Sequence, residues 1–304
     1  MFAGCKDSED SIWSAEAIAQ SGADVPFSVI RATSPPSVGL NRLAIALTDR
    51  GALLSDASVV MRTYWFDDQP EKVSQIVEAH AEVIANPRSL TTTFDHHHDD
   101  GTIHLHEGPK STVYVAHLDL HEPGWWGIEA DVELNGKRYE GIRFTFWVLE
   151  ESSEPAIGAV VPRSKQRTLR DVTDISEIDS AIPPNRAFHE RTIAEALDTG
   201  KPVVVAFVTP AFCQTRFCGP VMESVILPIY ERYGTTVEIV HIEPFDLAAA
   251  RQGELISVPT AEEWGLLAEP FVFVLKPDGT VAAKFQGIME SEEIVTVLDE
   301  LLSS

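Results

Sequence analysis

The sequence predicts two folded units: an all-β sandwich, then an α/β domain whose mixed sheet is flanked by helices. Three observations carry this expectation. Residues 25–150 hold short alternating stretches rich in β-branched and aromatic residues, with turn signals between them. Residues 201–208, Lys-Pro-Val-Val-Val-Ala-Phe-Val, form a continuous apolar run of the kind that a sheet covered on both faces contains. That run is followed by helical segments alternating with further strands, which is an α/β pattern. A chain of 304 residues is long enough for two domains, each with its own core.

The charge narrows the function classes. Lys and Arg number 23 against 47 Asp and Glu, for a formal net charge of -24. Binding nucleic-acid phosphate needs a basic surface, so nucleic acid is not expected as a partner. The acidic balance serves solubility. No apolar run reaches about 18 residues, the length a membrane-spanning helix needs.

Residues 1–24 are polar after the first few positions and read as a disordered tether. Met1-Phe-Ala-Gly-Cys5 resembles the end of a bacterial lipoprotein signal. That resemblance implies lipidation at Cys5, an extracytoplasmic location and membrane contact only through the anchor. The basic and apolar segments of such a signal do not precede it. The other reading of Cys5 is an incidental thiol.

Candidate strands of the first unit begin with 26–32 and 39–47. Ser58-Val-Val-Met-Arg-Thr-Tyr-Trp-Phe66 and Thr112-Val-Tyr-Val-Ala-His-Leu-Asp-Leu120 follow. Residues 124–134 then lead through Asn135-Gly136, a strong hairpin signal, into 138–149. Glu71 to Asn86 reads as a helix, with apolar residues at Val73, Ile76, Val77 and Ala81. Seven of the ten histidines lie between His96 and His121. On a strand, His104 and His106 share one face, as do His117 and His121. Imidazoles on a common face can chelate copper or zinc, with Asp95, Asp99 and Glu107 as further ligands or orienting groups. The other reading is an acidic loop that contains histidines. The strand order resembles the immunoglobulin-like sandwiches that precede catalytic modules in exported bacterial proteins.

Residues 151–184 form a Pro-containing linker, with Pro155, Pro162 and Pro183-Pro184, that is semi-rigid by composition. The second unit covers 185–304. A helix over 190–197 ends at Gly200, which suits a C-cap. The strand 201–208 is followed by a helix from Cys218 to Tyr233 that contains Pro228, a kink position. Strands follow at 236–242, 271–275 and 281–285, and Ser291 caps a last helix.

Two of the three cysteines stand in Phe212-Cys213-Gln-Thr-Arg-Phe-Cys218-Gly-Pro220, between the apolar strand and the helix. A thiol at a helix N-terminus is biased toward thiolate, the form that attacks disulfides and binds soft metals. Arg216 adds a positive charge between the two. Phe212-Cys213, Pro228, Glu269-Pro270 and Asp278-Gly279 together resemble the thioredoxin-like superfamily, in its exported oxidoreductase type, over about 120 residues. The resemblance implies that Cys213 is the exposed nucleophile and that Pro270 is cis and holds a substrate's backbone beside the cysteines. It implies thiol–disulfide exchange with a protein disulfide or thiol partner, Cys218 resolving the mixed disulfide, and no required cofactor.

This chain departs from the superfamily at two points. Four residues separate its cysteines where the superfamily has two, and 203–208 carries no acidic residue to assist proton transfer. Cys218-Gly-Pro-Val221 also matches a shifted version of the motif, so Cys218 is a second candidate nucleophile. A structural disulfide or metal ligation are the other readings of the pair. Beside the oxidoreductase stand two alternatives: a non-enzymatic copper- or zinc-handling protein built on the His96–His121 tract, and a surface binding module. His241, within an apolar strand, and Trp264 read as core residues.

Overall fold

A computed structural model describes residues 25–66, 76–97, 103–215 and 217–303, with the backbone alone described at 76–78, 92–97 and 103–107. Cys5, His98 and Arg216 lie outside the described residues.

The first unit is a single sheet of nine antiparallel strands. These are β1 (Ser28–Arg31), β2 (Gly39–Asp49), β3 (Ala52–Leu53), β4 (Ser58–Phe66), β5 (Ile76–Ala79), β6 (Val83–His97), β7 (Ile103–Leu120), β8 (Gly124–Leu134) and β9 (Lys137–Val148). The hydrogen-bonded order is β1-β2-β7-β6-β4-β8-β9, with β3 beside β2 and β5 beside β4. The expected immunoglobulin-like sandwich of two facing sheets is therefore corrected. Strand β6 makes the difference. It pairs with β7 along most of its length and with β4 through Val83–Ala85 against Val59–Met61. What would be two sheets is joined into one.

That sheet curls on itself. Phe27, just before β1, meets Tyr139 of β9 edge to face at 5.3 Å, so opposite ends of the sheet come together. Ser37 and Leu149 form an isolated bridge at the same seam. Right-handed strand twist accumulated over many strands produces such curvature. The concave side encloses Leu43, Ile45, Leu47, Met61, Tyr114, Trp126, Ile128 and Phe146, all buried. The turn at Asn135-Gly136 has φ of 54° and 73°, the left-handed pair that a two-residue hairpin loop requires.

The helix expected over 71–86 is also corrected. Its described part, from Ile76 onward, forms β5 and the start of β6. The spacing of Ile76, Val77 and Ala81 fits a helix. However, β-branched residues favour a pleated surface, and β4 offers a partner edge: Tyr64, Trp65 and Phe66 pair with Ala79, Glu78 and Ile76.

The second unit holds a four-stranded mixed sheet in the order β11-β10-β12-β13: β10 (Val203–Phe207), β11 (Glu238–Ile242), β12 (Phe271–Leu275) and β13 (Val281–Gln286). Strands β10 and β11 are parallel, and the other pairings are antiparallel. The helical pieces around it are α1 (Ile193–Leu197), α2 (Cys218–Val221), α3 (Leu227–Tyr233), α4 (Leu247–Ala250), α5 (Pro259–Glu263) and α6 (Ser291–Ser303). Only α6 exceeds seven residues.

The expected α/β thioredoxin-like class is overturned by this architecture. The chain is mostly β, a large curled sheet plus a small mixed one, with few and short helices. Part of the reason is local. A π-helical segment, Met222–Ile226, separates α2 from α3, and Pro228 at the start of α3 has no N–H to donate to the preceding turn. Gly234, at φ 53°, ends that run.

The two sheets share apolar packing. On β2, the large residues Leu43, Ile45 and Leu47 fill the concave core, while Ala44 and Ala46 point to the convex side. There they join Leu90, Val113, Val115, Cys218, Val221, Ile288 and Ile294 in one buried cluster. Arg42 and Glu293 form a buried ion pair across this junction, with Nε 2.9 Å from Oε1 and Nη2 3.0 Å from Oε2. The connection 151–184 runs against the second unit: Val160 bridges to Thr280, and Lys284 Nζ lies 2.8 Å from Glu154. Among the described residues, no helix is long and apolar enough to cross a membrane.

Candidate functional site

The apolar run forms β10 and is fully buried, because strands and covering side chains occupy both its faces. Its carboxyl end delivers the chain into a turn at 210–212, and helix α2 begins at Cys218. Of the residues between the cysteines, Gln214, Thr215 and Phe217 precede the helix. The turn folds Cys213 back over the helix start, where the Cys218 backbone N–H donates to the Cys213 sulfur at 3.3 Å. The Thr215 hydroxyl lies 3.2 Å from the same sulfur. The hydroxyl oxygen is also 3.4 Å from the Glu269 carbonyl oxygen, so its single proton serves one acceptor at a time.

The two thiols are free, Cys213 partly exposed and Cys218 buried. Their environments drive them apart. Donation by the Cys218 thiol, by the Thr215 hydroxyl and by the N–H groups of Cys218 and Thr215 lowers the Cys213 pKa to about 5, against the opposing effect of partial burial. Burial, followed by the neighbouring Cys213, pushes the Cys218 thiol far up. These opposite shifts favour the thiolate at Cys213 and the thiol at Cys218. Of the two candidate nucleophiles, Cys213 has the charge and the access.

Glu269 was not identified from sequence as a site residue. Its carboxylate and both cysteine sulfurs offer atoms that all lie within 4.8 Å of one another. It is buried, accepts the Gln214 N–H at 2.9 Å, and titrates above its ordinary value through burial and the adjacent Cys213. No acid stands on β10 itself; Glu269 lies two residues before β12, the strand paired with β10. The only sequence signal was its position next to Pro270. The Glu269–Pro270 peptide is cis, and Pro270 is buried with its carbonyl accepting the Gly287 N–H at 3.0 Å.

The expected histidine convergence is not assembled as expected. The side chains of His104 and His106 lie outside the described residues. In backbone register His104 faces His96, and His106 faces Phe94. His117 lies opposite Arg42, eleven positions further along β7 than His106, roughly 35 Å on an extended strand. Burial and Arg42 lower its pKa. His121 packs instead against Trp65, His80 and Trp126 at 5.4 to 5.8 Å between ring centres.

A different cluster appears in the second unit. Asp179, His189 and His241 are buried, and their ligand atoms lie within 4.8 Å of one another. His189 Nε2 is 3.0 Å and His241 Nδ1 is 3.7 Å from Asp179 Oδ2. His241 Nε2 donates to the Val208 carbonyl at 2.8 Å. Nearby Glu243 accepts the Ser180 N–H at 2.7 Å, and burial raises its pKa. Ser180 also accepts the Ala211 N–H at 3.0 Å, which ties this cluster to the cysteine turn. Trp264 is a core residue as expected, packed between Phe207 and Phe273.

Comparison with known proteins finds no matching family model, no matching curated protein and no matching solved structure.

Proposed function

We propose that this protein is a thiol–disulfide oxidoreductase acting through Cys213 and Cys218 on a protein partner. One observation carries the reading: a partly exposed sulfur with its pKa lowered to about 5 sits within 4.8 Å of a buried thiol whose pKa is raised. A structural pair has no need of that asymmetry, whereas exchange does.

In the reductive direction, the Cys213 thiolate attacks one sulfur of the partner's disulfide. A Cys213–partner bond forms, the partner's bond breaks, and its second sulfur leaves as thiolate. Cys218 then loses its proton to the Glu269 carboxylate, directly or through one water. The Cys218 thiolate attacks the Cys213 sulfur, and the partner's first sulfur leaves. Two electrons have moved from the cysteine pair to the partner. The reverse sequence oxidises a partner dithiol. No cofactor takes part in either direction.

The partner class fits the surroundings. Ile182 and Leu267 are 96% and 72% exposed. Ile182 follows Ser180, which holds the cysteine turn, and Leu267 precedes Glu269 by two positions. Exposed apolar side chains of this kind suit docking of a polypeptide. An extracytoplasmic setting, where protein disulfides persist, is part of the same proposal.

The test is trapping. A Cys218→Ser protein should accumulate a mixed disulfide on Cys213 with a model disulfide substrate, and Cys213→Ser should accumulate none. If Cys218→Ser traps nothing and the wild type neither reduces nor oxidises the substrate, the pair is structural and the reading fails.

A further inference from the structure

We infer that Asp179, His189 and His241 form a binding site for a zinc-class divalent cation, separate from the cysteine pair. The argument begins with His241. Its Nε2 donates to the Val208 carbonyl at 2.8 Å, so in the neutral ring Nδ1 carries the lone pair. That Nδ1 is buried and has no hydrogen-bond partner. It faces Asp179 Oδ2 at 3.7 Å, beyond hydrogen-bonding distance. Two acceptor atoms turned toward each other in a dry interior repel unless a cation lies between them.

The spacing suits a metal. A tetrahedral ion with bonds of about 2.0–2.1 Å holds its ligand atoms roughly 3.3 Å apart. The pairs here stand at 3.0 Å and 3.7 Å, on either side of that value, and the third separation is under 4.8 Å; the 3.0 Å pair is a His189–Asp179 hydrogen bond, whose proton a bound metal displaces. The Val208 carbonyl plays the orienting role that outer partners of metal-bound imidazoles play. Asp179 is held likewise: its Oδ1 accepts the Ala181 N–H at 2.8 Å.

The cluster is also reachable. His189, His241 and Glu243 line a cavity of about 280 Å³, whose other walls include Gln166, Phe245 and Pro259. The second carboxyl oxygen of Glu243, which lines the same cavity, is buried and lacks a partner, and a water in that cavity can take a fourth position. Two imidazoles and one carboxylate match zinc better than calcium or magnesium, which prefer all-oxygen sites.

The test uses the full chain, treated with a chelator and then titrated with zinc chloride by calorimetry, and in parallel with cobalt chloride by absorption. One equivalent should bind and should persist in Cys213→Ser/Cys218→Ser and in His104→Ala/His106→Ala. The cobalt spectrum should show ligand-field bands without thiolate charge transfer. His241→Gln and Asp179→Asn should each weaken that equivalent by roughly 100-fold or more. Far-ultraviolet circular dichroism and an unchanged Cys213 alkylation rate would confirm that these variants fold. The proposal is overturned if wild-type protein binds no zinc. It is equally overturned if the bound equivalent is lost with the cysteines or with His104 and His106, or if cobalt shows thiolate charge transfer. A cluster that holds only a proton between His241 and Asp179 would give the first of these results. Loss of exchange activity at Cys213 would leave this proposal untouched, since no step of the exchange uses the cluster.

Discussion

The backbone N–H of Cys218 donates to the sulfur of Cys213, so in the proposed exchange one residue would both stabilise the attacking thiolate and resolve the mixed disulfide. The two roles are coupled by 3.3 Å of geometry. The contact places Cys213 over the first residue of α2.

The pH dependence of Cys213 follows from this contact. Its pKa is lowered to about 5, so the thiolate persists at neutral pH and is lost as pH falls through that value. The rate of iodoacetamide labelling at Cys213 should rise tenfold per pH unit below the midpoint and level off above it. Thr215→Val removes one donor and should move the midpoint upward. A midpoint near that of an ordinary thiol in the wild type would contradict the assigned hydrogen bonds. The linkage has the same sign: the stabilisation of the reduced protein is present above the unfolded-state pKa and is lost as pH falls through the folded one.

Glu269→Gln keeps an oxygen to accept the Gln214 N–H but removes the proton acceptor beside Cys218. The first attack by Cys213 should proceed at nearly the wild-type rate. Release of the mixed disulfide should slow by roughly 10²–10⁴-fold, the usual contribution of a positioned base. Single-turnover quenching separates the two phases. Equal slowing of both would assign Glu269 a merely structural role.

The junction is sensitive to acid. Burial alone would raise the Glu293 pKa, but bidentate Arg42 and nearby Arg88 outweigh it and hold the carboxylate below its ordinary value. Its stabilisation is complete above the unfolded pKa of about 4.3 and is lost as pH falls through the depressed folded value. Glu293→Gln leaves Arg42 buried without its counter-charge and should cost about 3–5 kcal/mol at neutral pH. The variant's denaturation midpoint should also vary less with acid than the wild type's.

Gly265 has φ +61°, and a Cβ there would run into the Ser153 carbonyl oxygen. Gly265→Ala should therefore destabilise by about 1–3 kcal/mol or more, through strain and displacement of the 151–184 connection. Urea denaturation of the variant checks this, with Gly219→Ala, whose Cβ would meet nothing within 4 Å, as the control.

The strands were legible where one face is wet and the other dry, as along β8 and β9, because a period of two is written directly into the residues. Strand order was not. Nothing local in Val83-Ile84-Ala85 tells whether it borders β4, β7 or both, and that choice separates a sandwich from one curled sheet. A signal for the junction was present in Leu43-Ala-Ile-Ala-Leu47, large residues on one face and alanines on the other, the pattern of a strand covered closely on both sides. The cysteine pair was legible because its chemistry is local. Glu269 was not, since it reaches the sulfurs across more than fifty residues of chain. The Asp179–His189–His241 cluster was hidden for the same reason, and His241 in isolation looked like any core histidine.

The convex face of the large sheet is finished by residues of the second unit, and Cys218 belongs to that shared cluster. Neither half is a portable module. A gene fragment ending within 151–184 would encode a sheet with Ala44, Ala46, Val113 and Val115 bare to water. A fragment beginning there would leave the cysteine helix without its floor. Grafting the cysteine turn and α2 onto another scaffold would have to carry β6, the strand of the large sheet against which α2 packs.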